Sequence, residues 1–345
     1  MTNGATTMSD KSTAAASGVP ETMSAITQDR YGEALEVLST GRVPVPDPGA
    51  DEVLIEVAAA GVDQGTWHLV AGMPLVVRLG FGFRRPRNPV PGLDVSGTVV
   101  KCGEEVRDLA PGDAVFGIAK GSFAQYAVAK ATKIVKRPDS LPELDAAGLA
   151  VSGITALQAV RDVARVSPGE RVLVVGASGG VGSFAVQIAK SQGAEVVGVC
   201  SAGKADFVRS LGVDDVIDYR SESLDARGVG YDAIIDTGGA NPLRALRSVL
   251  TERGRLVIVG AETGGKLIGG VDRQLRGVLL SMFSRQTIKT FIAAEKGESM
   301  TVLADMVDRG DVRVGLGATR PLQEAAAAID DLRAGRSRGK TVLTV

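Results

Sequence analysis

Histidine and cysteine are nearly absent from this chain of 345 residues. His68 is the one histidine, which excludes a metal centre built from several histidines. Cys102 and Cys200 are too few for a disulfide framework, so we expect a reducing compartment and a cytoplasmic protein. Both cysteines lie in apolar, strand-like runs, where cysteine acts as a small buried hydrophobe.

Long apolar runs and an excess of one charge are also lacking. No stretch reaches the roughly 18 consecutive apolar residues typical of a membrane span, so we expect no transmembrane segment. The net charge of −1 provides no electrostatic reason for a nucleic-acid partner. Residues 1–22 lack the apolar core of a secretory signal and the arginines of a transit peptide. Their Ala, Ser and Thr content predicts a disordered tail.

The length and composition favour two globular domains. The 44% apolar and 23% charged fractions are typical of globular proteins, and the chain is too long for one ordinary core. Short strands and Pro/Gly turns over residues 23–148 predict a mostly β lobe, with its first two strands at 24–29 and 34–38. Strands alternate with helices over residues 149–288, which predicts an α/β domain with a doubly wound parallel sheet. Residues 289–345 end in a strand and are expected to return to the lobe.

A glycine-rich turn follows the first buried strand of the α/β part. An apolar run from Val172 to Val175 leads into Ala177-x-Gly179-x-x-Gly182, and apolar residues then recur at helical spacing. This strand, turn and helix form the dinucleotide-binding fingerprint, with alanine at its first position. Small residues let the backbone approach a pyrophosphate, and the N–H groups of the helix face its charge.

Several motifs in order resemble those of the medium-chain dehydrogenase/reductase superfamily from Met23 to Val345. The chain is most similar to the zinc-independent, quinone-oxidoreductase-like branch, which includes the reticulon-4-interacting-protein type. This resemblance implies a GroES-like β lobe, a Rossmann domain, and hydride transfer from NADPH. The motifs are Pro44-x-Pro-x-x-x-x-Asp51-Glu-Val-Leu-Ile, Ala59-Ala-Gly-Val, Pro91-Gly-Leu-Asp-x-x-Gly97, Pro111-Gly-Asp-Ala-Val115, Gly153-Ile-Thr-Ala156, the glycine turn and Gly339-Lys340.

The ligands of a catalytic zinc are missing from the positions that zinc-dependent relatives use. Those relatives place cysteine after a Gly-Val pair, where this chain has Asp63. They place His-Glu after Pro-Gly, where this chain has Leu93 and Asp94. The four-cysteine loop of their structural zinc is also missing. We therefore expect no metal, since zinc requires three protein ligands of Cys, His or Glu type.

The end of the second strand of the α/β part bears on the choice of cofactor. NAD-specific sites place an acid there for the ribose hydroxyls, but this strand ends without one. Ser201 can donate to a 2′-phosphate and Lys204 can offset its charge, and Tyr219 matches a tyrosine of the related reductases. A solvated lysine is the alternative for Lys204. Arg338 is a further candidate contact, or part of a solvated turn.

Further contacts to the cofactor are implied by the resemblance. Thr155 matches a threonine beside the nicotinamide, and Gly238 and Gly260 match backbone positions that line the ribose and ring. Each glycine is alternatively a simple turn residue. The expected pyrophosphate contacts are Ala177, Ser178, Gly179, Gly180, Val181 and Gly182.

The residues that would act on the substrate are the least determined by the sequence. Without a metal, quinones and α,β-unsaturated carbonyls are suitable hydride acceptors, because conjugation spreads the incoming charge. Candidates in the lobe are Asp63, Trp67 and His68. The alternatives are an exposed carboxylate for Asp63, packing for Trp67, and a packed or surface position for His68. We expect catalysis mainly by positioning, with the proton from water, and His68 as a general acid is the alternative.

Two segments are candidates for contact with substrate or partner. Residues 75–91 carry four arginines among apolar residues, which suits a lid, a basic surface for a phosphate-bearing substrate, or a solvated loop. Residues 274–283 are strongly apolar and suit a pocket roof or burial in a homodimer better than a membrane contact, and we expect a homodimer.

The expected activity is NADPH-dependent reduction of a small quinone or enone without zinc. An enoyl-thioester reductase, or a sensor or scaffold that binds NADPH without turnover, are the alternatives.

Overall fold

A computed structural model describes residues 18–259 and 284–345. The first part of the chain forms short strands that are largely buried. Strand β3, for example, buries Val53, Leu54 and Ile55 and exposes Glu56. The strands of this part are β1 (Thr22–Thr27), β2 (Ser39–Pro44), β3 (Glu52–Val62), β4 (Asp94–Cys102), β5 (Ala114–Ile118), β6 (Tyr126–Lys130) and β7 (Ile134–Lys136).

The middle of the chain forms a six-stranded, all-parallel sheet. Its strands are apolar on both faces, as expected where helices cover both sides. They are β8 (Arg171–Val175), β9 (Glu195–Cys200), β10 (Asp215–Asp218), β11 (Tyr231–Asp236), β12 (Leu250–Ile258) and β13 (Thr287–Thr290). The spatial order is β10-β9-β8-β11-β12-β13. This is the doubly wound order of a Rossmann domain, with the switch point between β8 and β11.

The end of the chain adds two strands to the sheet of the lobe. Strands β14 (Leu316–Pro321) and β15 (Lys340–Thr344) pair with each other, and β15 runs antiparallel to β3. The lobe sheet therefore has the order β14-β15-β3-β4-β5-β7, with β6 paired to β3. The two-domain α/β prediction, a GroES-like lobe with a Rossmann domain, is confirmed.

Helices pack on both sheets and connect the two domains. The helices are α1 (Ala34–Val37), α2 (Gln64–Ala71), α3 (Arg78–Phe81), α4 (Glu143–Leu157), α5 (Gly180–Ser191), α6 (Ala205–Ser210), α7 (Leu243–Val249), α8 (Gly297–Asp308) and α9 (Ala325–Arg333). Helix α4 is almost fully buried and continues into a π-helical segment, Gln158–Ala164. It passes through residue 148, the predicted domain boundary, and β13 likewise passes through residue 288, so neither boundary is a linker.

The prediction of a strand at residues 34–38 is wrong. These residues form helix α1, and the partner of β1 is β2. Ala34 and Val37 lie three residues apart on one buried face, a spacing that fits a helical turn. The predicted tail, residues 1–22, lies mostly outside the described residues, although Thr22 already belongs to β1. Cys200 is buried as expected, whereas Cys102 is only half-buried.

Candidate functional site

The glycine turn joins β8 to α5 by a close approach of two backbone segments. Gly176 has φ of +80°, in the region that favours glycine. A Cβ on Gly182 would lie 2.1 Å from the carbonyl oxygen of Gly176, so no side chain fits there. The third glycine of the fingerprint thus has the packing role that the motif requires.

The N-terminus of α5 is open toward the carboxyl end of the sheet. The helix begins at Gly180 without a side-chain cap, so its first N–H groups have no side-chain acceptor. The nearest atom to a Cβ on Gly179 would be 3.4 Å away, which leaves room beside the turn. An uncapped twelve-residue helix at the switch point of the sheet fits a pyrophosphate.

A second turn, near the C-terminus, lies against the glycine turn. The backbone N–H of Gly339 donates to the carbonyl of Ser178 across 2.8 Å. The Nζ atom of Lys204 donates to the carbonyls of Gly335 (2.8 Å) and Ser337 (2.5 Å). Burial lowers the pKa of the Lys204 ammonium. The lysine therefore holds the C-terminal turn beside the tip of β9 and is not a freely solvated side chain.

The predicted phosphate contacts lie around this tip. Half-buried Ser201 accepts from the backbone N–H of Lys204, and the N–H of Tyr219 donates to Cys200. The ring of Tyr219 is exposed, and the guanidinium of Arg220 lies 5.8 Å from its centroid. Sequence reasoning missed Arg220. Its position directly after Tyr219 could have identified it as a further candidate contact to the phosphate.

Two neighbouring arginines of the C-terminal turn have different surroundings. Arg336 forms ion pairs with Asp330 and Asp331. The exposed Arg338 has no carboxylate partner among residues 18–259 and 284–345. Of these two arginines, Arg338 is therefore the better candidate to pair with a charged ligand.

The residues expected near the nicotinamide are only partly described. Thr155 lies on α4, is half-buried, and donates from Oγ1 to the carbonyl of Val151 (2.7 Å). Gly238 follows β11 and lies against Gly176, so the ends of the two central strands meet there. Gly260 and residues 274–283 lie outside the described residues.

A buried ionic cluster lies where the lobe meets the glycine turn. The Nζ atom of Lys340, at the start of β15, donates to Oδ2 of Asp94 (2.9 Å), to the carbonyl of Val62 (3.2 Å) and to Oγ of Ser152 (3.3 Å). The lysine is 1% exposed and Asp94 is fully buried. Asp94 also accepts from the N–H of Val151 (2.7 Å). A hydrogen-bonded pair of this kind satisfies the condition for burying two charges.

The cluster touches the cofactor turn. A Cβ on Gly180 would lie 3.0 Å from Oγ of Ser152 and 3.2 Å from Cδ of Lys340. The lobe, the connecting helix α4 and the glycine turn therefore meet at one point. The sequence analysis used Lys340 only as part of a motif, and the available indication of its role was the carboxylate of Asp94 in the Pro91-Gly-Leu-Asp motif.

Asp63 is the third charged group of this region, and it is buried. Its Oδ1 atom accepts from the N–H of Thr66 (2.8 Å), which caps α2. Its Oδ2 atom has no hydrogen-bond partner within the described structure. Burial, and next the neighbouring Asp94, raise the pKa of Asp63 to about 6 from the usual 3.8, while Lys340 opposes the shift. The alternative of an exposed carboxylate is therefore wrong.

Trp67 and His68 lie in α2, with ring centroids 4.7 Å apart. The guanidinium of Arg333 lies 4.2 Å from the ring centroid of Trp67, which packs at the edge of the lobe core. Nδ1 of His68 lies 2.5 Å from the carbonyl of Met73, and burial lowers the pKa of the ring. These contacts support packing roles for both residues.

The described residues contain neither a cluster of metal-ligating side chains nor a helix that could span a membrane. No group of three or more His, Cys, Asp or Glu side chains could hold a metal within ranges 18–259 and 284–345. No helix in the same ranges is long and apolar enough to cross a membrane.

Two family models match the chain in the expected order. The alcohol dehydrogenase GroES-like domain matches residues 49–139, and the zinc-binding dehydrogenase model matches residues 211–343. The chloroplastic quinone-oxidoreductase QR1 of Triphysaria versicolor is 30% identical over 93% of this chain and 98% of its own length.

Two solved structures are similar in fold to this chain over nearly its whole length. The quinone oxidoreductase of Coxiella burnetii is 28% identical, with a TM-score of 0.82 over 94% of this chain and 99% of that one. A mycobacterial protein, solved in complex with NADPH, is also 28% identical, with a TM-score of 0.81 over 94% of this chain and all of that one. The chain thus belongs to the medium-chain dehydrogenase/reductase superfamily, in its quinone-oxidoreductase-like branch, and is an oxidoreductase with a nicotinamide cofactor.

Proposed function

We propose that the protein is an NADPH-dependent, zinc-independent reductase of quinones or α,β-unsaturated carbonyls. The observation that carries the proposal is the Lys340–Asp94 pair beside the glycine turn. Leu93 and Asp94 stand where zinc-dependent relatives have a His-Glu pair, and here an ammonium group binds the carboxylate of Asp94. A site without a Lewis acid suits acceptors whose conjugation spreads the incoming charge.

The cofactor would be held by the open turn at the start of α5. The N–H groups from Gly179 to Gly182 would face the pyrophosphate, and Thr155 and Gly238 would lie toward the nicotinamide. When bound, NADPH supplies the hydride. The chain's own residues bind and orient both reactants, and hold the proton that completes the reduction.

Selectivity for the 2′-phosphate would come from the cationic groups around the tip of β9. No acid ends this strand, and we infer that Ser201, Tyr219 and Arg220 would contact the 2′-phosphate, with Arg338 contributing from the neighbouring C-terminal turn. Lys204 would contribute mainly by holding the C-terminal turn in place, because its ammonium binds two carbonyls of that turn. Arginine is suited to phosphate because its planar guanidinium can donate two parallel hydrogen bonds.

We assign the proton to Asp63. Its buried Oδ2 atom has no hydrogen-bond partner within the described structure, and its pKa of about 6 leaves on the order of a tenth of the carboxyl protonated at neutral pH. An enone would take hydride at its β-carbon and a proton at its α-carbon. A quinone would take one hydride and one proton to become a hydroquinone.

Steady-state kinetics with NADPH and NADH, on a quinone and on an enone, test the function. We expect kcat/KM to be at least about tenfold higher with NADPH, since one charge-assisted contact contributes roughly 1.4 kcal/mol or more. Equal kcat/KM with both cofactors would refute the selectivity. Tight NADPH binding without turnover of either substrate would refute the activity and favour a sensor or scaffold.

A further inference from the structure

Residues 75–87 display apolar side chains and arginines on one exposed segment. Four of its apolar side chains are largely exposed, namely Val76 (48%), Leu79 (70%), Phe81 (50%) and Phe83 (74%). Ten large hydrophobic side chains in the described residues are at least 40% exposed, and these four fall within eight consecutive positions. Such a cluster on a protein with few aromatic residues marks an interaction surface.

The backbone of this segment is held in place by the lobe. A 3-10 turn (Leu75–Val77) leads into α3, and the N–H of Arg87 donates to the carbonyl of Phe81 (2.8 Å). The hydroxyl of Tyr31 donates to the carbonyl of Gly82 (2.7 Å). Arg78 is turned inward, with its guanidinium 4.5 Å from the ring centroid of Tyr31. The exposed side chains are therefore presented by an ordered backbone.

The charge on this segment is all of one sign. Residues 75–87 contain four arginines and no carboxylate, whereas the whole chain has a net charge of −1. Arg84, Arg85 and Arg87 are exposed, and no ion pair involves them within the described ranges. A twofold contact between two copies would place these like charges together, which argues against a second copy as the partner.

We propose that residues 75–87 dock on the headgroup layer of an anionic lipid bilayer. The apolar side chains of Leu79, Phe81 and Phe83 would enter the boundary between headgroups and acyl chains. Arg84, Arg85 and Arg87 would pair with the lipid phosphates, as basic residues at an interfacial segment do. The segment follows α2, so docking would bring this side of the lobe to the lipid phase, where hydrophobic quinones partition. The proposal does not depend on turnover.

Vesicle co-sedimentation of the full chain tests the docking. The vesicles are phosphatidylcholine alone and an equimolar mixture of phosphatidylcholine and phosphatidylglycerol. We expect binding to the anionic vesicles that weakens as salt is raised, and little binding to the neutral ones. Two variants, Leu79→Ser/Phe83→Ser and Arg84→Gln/Arg85→Gln/Arg87→Gln, should each lose at least about tenfold in apparent affinity, because each removes one of the two attractive contributions.

Matched variants elsewhere on the surface serve as controls. Ile292→Ser removes an apolar side chain that is 97% exposed. Arg30→Gln/Arg107→Gln/Arg209→Gln removes three charges from other exposed positions. Both controls should bind vesicles as the parent protein does, and circular dichroism should show that every variant is folded.

Four outcomes would overturn the proposal. The parent protein could fail to bind anionic vesicles, or the control triple variant could lose as much affinity as the test triple variant. Free coenzyme A at constant ionic strength could abolish binding, which would assign the arginines to a soluble phosphate ligand. Leu79→Ser/Phe83→Ser could convert a dimer to a monomer in sedimentation velocity, which would assign the apolar side chains to a second copy.

Discussion

The ammonium of Lys340 donates to the carboxylate of Asp94 across 2.9 Å, although the two residues are 246 positions apart in the chain. The pair joins the first residue of β15 to the first residue of β4. It is fully enclosed and lies beside Gly180, so one contact couples the closure of the lobe to the position of the cofactor turn.

Removing the ammonium should strongly destabilise the protein. In Lys340→Met the Asp94 charge stays buried without its partner, and we expect the free energy of unfolding to fall by about 3–5 kcal/mol. Urea unfolding, followed by circular dichroism, measures the change. The double variant Lys340→Met/Asp94→Asn removes both charges and keeps an acceptor for the N–H of Val151. It should recover part of the loss, and a double variant whose loss equals the sum of the two single losses would contradict the coupling.

Asp63 should make stability depend on pH. Its pKa is 3.8 in an unfolded chain and about 6 in the fold, so the folded state binds the proton more tightly. The stabilisation is complete below pH 3.8 and is lost as pH rises through about 6, a total on the order of 2–3 kcal/mol at roughly 1.4 kcal/mol per pKa unit. Asp63→Asn keeps the helix cap and should be more stable than the parent protein at pH 8. Urea titrations at pH 5 and pH 8 measure the difference.

The assignment of the proton to Asp63 has a separate kinetic readout. If Asp63 supplies it, kcat of the parent protein should decline as pH rises through about 6, and Asp63→Asn should show a lower, flatter profile with little change in KM. Val70→Ala, in the same helix and not among the groups that shift the pKa of Asp63, serves as the control for disturbance of the helix. Equal pH profiles for parent and Asp63→Asn would refute the role in proton transfer and leave the stability prediction intact.

Arg220 should contribute to selectivity for NADPH. We expect Arg220→Ala to raise the Kd for NADPH about tenfold, or roughly 1.4 kcal/mol, and to leave the Kd for NADH unchanged, because only NADPH carries the 2′-phosphate. Fluorescence titration with each cofactor measures both constants. Arg209→Ala, an exposed arginine on α6, is the control. Equal losses for NADPH and NADH would indicate a structural role instead.

Local patterns were sufficient to predict much of the parallel sheet. The apolar run Val172–Val175, predicted to be a buried strand, lies in β8, because buried strands are short apolar runs bounded by turn residues. The error at residues 34–38 has the opposite cause. A single helical turn and a strand of five residues both fit an apolar residue at each end, so tertiary contacts decide between them.

The sequence by itself determined the family, the two-domain fold and the glycine turn. These follow from residue types at fixed spacing: glycine where no Cβ fits, apolar runs where both faces of a strand are covered, and motifs in a fixed order. Only the tertiary structure decided which charges meet. It placed Lys340 on Asp94, buried Asp63 beside them, turned Lys204 to the C-terminal turn and added Arg220 to the tip of β9. The physical reason is that a pKa or an ion pair depends on burial and on neighbours distant in the chain, which no local spacing encodes.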